Sequence, residues 1–170
     1  MQYFFFEKLW ESSIPANERI AEIKRMMFDN NLLNTKIRDL YTIKGLIPKV
    51  IQSAVEEILL FFPTINSFWL IEENNGIIEL LANAVNRYIK VKIIIHIDNE
   101  DSNANKTIDK KINDVNKVLG TYVNYTTKKI DTKTIMLIAD QAISLSIYIK
   151  DNDKNTFKDA IEMASFSNNE

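Results

Sequence analysis

The sequence contains no cysteine, a single histidine, three glycines and three prolines in 170 residues. Without cysteine there are no disulfides, no thiolate chemistry and no cysteine-rich zinc site. With only His96, a phosphodiesterase that uses one histidine as nucleophile and a second as acid lacks half its equipment within the chain. The glycines, at positions 45, 76 and 120, form no glycine-rich ATP lid, and no phospho-acceptor histidine sits in a helical H-box. No apolar run approaches the roughly 18 residues needed to span a bilayer. The aromatic start, Met1 to Trp10, carries internal charges and lacks a basic region and a small-residue cleavage site, so it does not read as a signal peptide. A cytoplasmic setting is expected. An excess of positive charge is also missing: 21 basic against 23 acidic residues leave a formal charge of -2. With no broad basic field for phosphate backbones, composition predicts no nucleic-acid partner.

What is present is ordinary globular material, 46% hydrophobic and 26% charged, enough for one domain with a short appended arm. We divide it into an aromatic helical arm at residues 1–28 and an α/β domain at 29–170. In the arm, Tyr3, Phe6 and Trp10 recur at helical spacing, and a second helix is predicted from about Pro15 to Met27. Beyond it a short strand is predicted over Leu33 to Asp39. Ile43, Leu46, Ile47, Val50 and Ile51 then mark an amphipathic helix, with Pro48 placed in its first turn because an interior proline removes a hydrogen bond. Ile58–Phe62 and Lys90–Ile95 read as buried strands. Helices are predicted from about Glu73 to Tyr88 and over Ile108 to Leu119, the latter closed by Gly120. Tyr122 to Thr126 reads as a strand, Thr134 to Ile149 as a hairpin, and the chain closes with a helix from Thr156. Strands alternating with helices predict a mixed, mostly parallel sheet covered by helices on both faces.

Several residues are candidate ligand contacts. In an open α/β sheet, ligands bind beyond the carboxyl ends of strands. Thr64 and Asn66 follow the Ile58–Phe62 strand, with Ser67 beside them and Phe68 and Trp69 as an apolar wall; ordinary turn chemistry is the competing reading. His96 and Asp98 follow the Lys90–Ile95 strand, where they suit a polar ligand or, with further ligands that the sequence does not reveal, a metal, or simply cap a strand end. Lys133 and Asp140 bracket the first strand of the hairpin. The loop Asn99 to Asn105 lacks the spacing and the glycine of an EF-hand, and neither a metal site nor a cofactor is expected.

Lys133-Thr-Ile-Met-Leu-Ile-Ala-Asp140 sits where a phospholipase-D-type half-domain would carry His-x-Lys-x4-Asp. Lys133 stands at the histidine position and Ile135 at the lysine position, so the frame is present without its catalytic groups. Four segments carry a wider resemblance: Tyr3 to Trp10 with Ile14 to Ile20, Ser53 to Leu59 with Thr64 to Phe68, Val91 to Ile95, and Asp151 to Asn169. In these the chain resembles the sensor module of archaeal sensor histidine kinases of the ammonia-oxidising type. Such modules look related in fold to the phospholipase D half-domain and to effector-binding domains of archaeal sugar-responsive regulators. The resemblance implies a non-catalytic signal-input domain that binds a small ligand or partner. It further implies a homodimer, for which Tyr3, Phe6 and Trp10 are the interface candidates, and a downstream kinase core that this chain does not contain. A phosphodiesterase or nuclease and a purely structural dimerisation module are the alternatives.

Overall fold

The computed structural model describes residues 36–96, 116–117, 123–126, 132–152, 154 and 156–168. All of these belong to the compact unit Asn31–Glu170. Tyr3, Phe6 and Trp10, the boundary at 28/29, Asp98, the Asn99–Asn105 loop and most of the helix expected at 108–119 lie outside the described residues.

The described residues build one sheet of seven strands. These are β1 (Lys36–Ile37), β2 (Glu57–Phe62), β3 (Lys90–His96), β4 (Val123–Thr126), β5 (Thr134–Ala139), β6 (Ile143–Ile149) and β7 (Ile161–Asn168). Their spatial order is β1-β7-β6-β5-β2-β3-β4. Four helices lie wholly within the described residues: α1 (Leu40–Ser53), α2 (Ile65–Asn75), α3 (Ile77–Asn86) and the single turn α4 (Phe157–Ala160).

The sheet is mixed, as expected, but not mostly parallel. Only β2 with β3 and β3 with β4 run parallel; the other four pairings are antiparallel. Crossovers that carry a strand back in the same direction join only β2, β3 and β4, whereas β5, β6 and β7 form a meander. Among the described residues the helices lie on one face, and most of the helix expected at 108–119 lies outside them. Ile58, Leu60 and Phe62, with their lateral neighbours Val91, Ile93, Ile95, Ile135, Leu137 and Ala139, form a fully buried face. On the opposite face, Ile94 and Met136 flank Phe61 in one row and remain 43% and 39% exposed. The helices touch one another as well as the strands, so they make a single layer over the buried face.

Local chemistry explains three further departures. The predicted helix from Glu73 is two helices, α2 and α3, broken at Gly76, whose φ of 60° suits glycine. The closing helix is one turn, capped as expected by Thr156, whose Oγ1 accepts from the Asp159 amide at 3.3 Å. From Ile161 the chain is strand: Leu145 faces Phe166 and Ile147 faces Ala164, so pairing with β6 overrides the local helical spacing.

Pro48 is inside α1, not in its first turn, because Asp39 caps the helix well before it, accepting from the Thr42 amide at 2.8 Å. An interior proline orphans the carbonyl four residues back. Here that carbonyl belongs to Lys44, and the Asn75 Nδ2 donates to it at 2.8 Å. The last residue of α2 thus replaces the hydrogen bond that Pro48 removes, and ties the two helices together.

Candidate functional site at the strand ends

Because β2 and β3 are parallel and β5 runs against them, the carboxyl ends of β2 and β3 lie beside the start of β5. Thr64, Asn66, His96 and Lys133 therefore belong to one end of the sheet. Asp140 belongs to the other, with Ile58 paired to Ala139. Seven residues of extended chain put Lys133 and Asp140 roughly 20 Å apart. They do not converge on one ligand.

Thr64 is engaged in a helix cap. Its hydroxyl accepts from the Ser67 amide at 3.1 Å, and the Ser67 hydroxyl accepts from the Thr64 amide at 3.2 Å. This reciprocal pair is a capping box with serine in place of the usual glutamate or glutamine. Phe68 is fully buried, meeting Phe62 edge-on at 5.2 Å and Trp69 at 5.0 Å, so it packs the core and forms no ligand wall. Asn66 is exposed and lines a depression with Ser67, Leu70, Ile149, Asp151 and Lys154. Its empty volume, open solvent included, is about 160 Å³. Small-molecule pockets span roughly 300–1,000 Å³. The depression is a shallow notch by comparison.

His96 is 4% exposed and does not line that notch. Its Nδ1 lies 3.1 Å from the Thr126 carbonyl oxygen. A carbonyl only accepts, so Nδ1 carries the proton in this contact. The bond fastens the end of β3 to β4. Lys133 is exposed, and its carbonyl accepts from the Ile149 amide at 2.7 Å, closing the hairpin. Among the described residues, no three His, Asp or Glu side chains gather in a group suited to a metal ion.

The densest polar constellation is at the opposite end, where sequence reasoning placed only Asp140. The Asp140 carboxylate accepts from three consecutive amides: Val55 at 2.9 Å, Glu56 at 2.8 Å and Glu57 at 2.9 Å. The Asp140 amide donates to the Glu57 carbonyl at 2.9 Å. Glu57 also pairs with Lys92 at 2.7 Å, and this bond is the main reason its carboxyl is held below the ordinary glutamate range; the Gln141 side chain contributes in the same direction. The amides of residues 55–57 have no signature in sequence, since any residue supplies an N–H. Asp140 as the first residue of a polar turn was the only legible part.

No family model and no curated protein matches the chain. Among solved structures it is similar to TrmBL2, described as an archaeal chromatin protein with a novel mode of DNA binding. The likeness is distant: 18% identity and a TM-score of 0.48, over 99% of this chain and 58% of that one. At that level it decides neither fold nor function. It does correct one expectation. The composition predicted no nucleic-acid partner, but the similar chain is a DNA-binding protein, so that exclusion is withdrawn.

Proposed function

We propose that this chain is a non-catalytic signal-input module, part of a larger signalling protein, that acts by binding and by dimerisation. In its finer form the reading is the sensor of a histidine kinase, on the resemblance described above. The observation that carries the proposal is the fate of the Asp140 carboxylate. In the phospholipase-D-type frame this position would serve catalysis; here the group is held by three backbone amides about a strand's length from Lys133. The buried His96, bonded to a backbone carbonyl, agrees with that reading.

The test is hydrolysis of a chromogenic phosphodiester by the wild type and by His96→Ala. The proposal expects no turnover above the buffer rate from either protein. Turnover by the wild type that His96→Ala abolishes would replace the proposal with a phosphodiesterase. Titration with duplex DNA at two salt concentrations belongs beside it, since binding that weakens steeply with salt would redirect the module toward nucleic acid.

A further inference from the structure

The three amides that hold Asp140 are arranged as an anion receptor. Consecutive N–H groups from Val55, Glu56 and Glu57 converge on one carboxylate, and all three reach a single oxygen, Oδ1, those of Glu56 and Glu57 at 2.8 and 2.9 Å. Val55 donates to both oxygens, at 3.2 and 2.9 Å. Successive amides aimed at a common point make a concavity for negative charge, the device that many phosphate sites use. Charge-assisted bonds of this kind are shorter and stronger than neutral ones.

The turn that delivers the carboxylate is itself unusual. Asp140 and Gln141 both have positive φ, 53° and 59°, and the Ala142 amide donates to the Ala139 carbonyl at 3.1 Å. A two-residue turn of this form favours Asn-Gly or Asp-Gly. Glutamine at the second position is held in the left-handed region without glycine's freedom. The carboxylate and amide of Asp140 fasten this turn to the start of β2. That place matters to the fold. β2 is parallel to β3 on one side and antiparallel to β5 on the other, so the latch sits on the seam where strand direction reverses.

We propose that the amides of Val55, Glu56 and Glu57 form an anion-binding nest whose resident ligand is the chain's own Asp140 carboxylate. A small free carboxylate takes its place when that side chain is removed. Acetate is the matching probe, because it reproduces the aspartate side chain beyond the Cα. The nest is reachable from solvent, with Val55 47% exposed. Asp140→Gly vacates it while preserving the positive φ of the turn.

The experiment is urea unfolding of the full chain, wild type and Asp140→Gly, in sodium acetate and in sodium chloride at equal ionic strength. In chloride the substitution raises the unfolding constant by roughly tenfold or more, the loss expected for hydrogen bonds to a charged group. Acetate lowers the variant's constant by roughly fivefold at a concentration several times its dissociation constant. The wild type, whose nest is filled, responds equally to the two salts. A variant indifferent to acetate, or a wild type that gains as much, overturns the proposal. If Asp140→Gly does not fold, the wild type still decides. Scalar couplings across the hydrogen bonds link the three amide nitrogens to the Asp140 carboxyl carbon in NMR, and their absence where sheet couplings are seen contradicts the nest.

Discussion

At the scale of single residues, three of the described side chains take up backbone conformations that glycine would adopt more easily. The turn of Asp140 and Gln141 is held by the bonds of Asp140 to the start of β2. Tyr88, at φ 64°, is held by nothing its side chain does, since it is 96% exposed. The backbone gives the reason. The Ile89 amide donates to Ala84 and the Tyr88 amide to Val85, the paired bonds of a Schellman closure, with Tyr88 at the left-handed position. Tyr88→Gly is therefore expected to stabilise the protein by about 0.5–1 kcal/mol, because the steric cost removed exceeds the extra freedom of the unfolded chain. Chemical denaturation checks it, and a loss of stability would show that the tyrosine ring contributes a contact of its own.

At the scale of elements, what the sequence displays and what it hides follow a physical division. Strands β2, β3 and the β5–β6 hairpin are legible because Ile58–Phe62, Lys90–Ile95 and Thr134–Ile149 are apolar or β-branched runs with sharp ends. The start of α2 is not, because its cap uses Ser67 where glutamate or glutamine would announce a capping box. β7 is hidden for another reason: Phe157-Lys-Asp-Ala-Ile161 has helical spacing, and only the register with β6, set by distant residues, makes the rest a strand. Pro48 misleads most directly, since its tolerance depends on Asn75, 27 positions away in sequence. That dependence is measurable. Asn75→Ala leaves the Lys44 carbonyl without its donor and should cost about 1–2 kcal/mol. In a Pro48→Ala background the restored amide bonds that carbonyl, so the same change should cost at least about 0.5 kcal/mol less. Additive effects in the double-mutant cycle would mean that Asn75 does not compensate for the proline.

At the scale of the whole molecule, the fold separates groups that the linear frame appeared to bring together. Reversal of direction between β2 and β5 sends Lys133 to the end of the sheet that carries Thr64, Asn66 and His96, and Asp140 to the end that carries the amides of 55–57. Strand order and direction are properties of the assembled sheet, and they decide which candidate residues share a surface. The same order produces a sheet that is antiparallel in four of its six pairings although helices and strands alternate in the first half. The proposed function and the structural role of the frame rest on one claim: Asp140 holds the fold and Lys133 does not. The direct measurement is the unfolding free energy of Asp140→Asn and Lys133→Ala against the wild type. The account predicts a loss of about 1.5–3 kcal/mol for Asp140→Asn, whose amide cannot replace a carboxylate before three donors, and a change within about 0.5 kcal/mol for the exposed Lys133. An Asp140→Asn variant as stable as the wild type would contradict it.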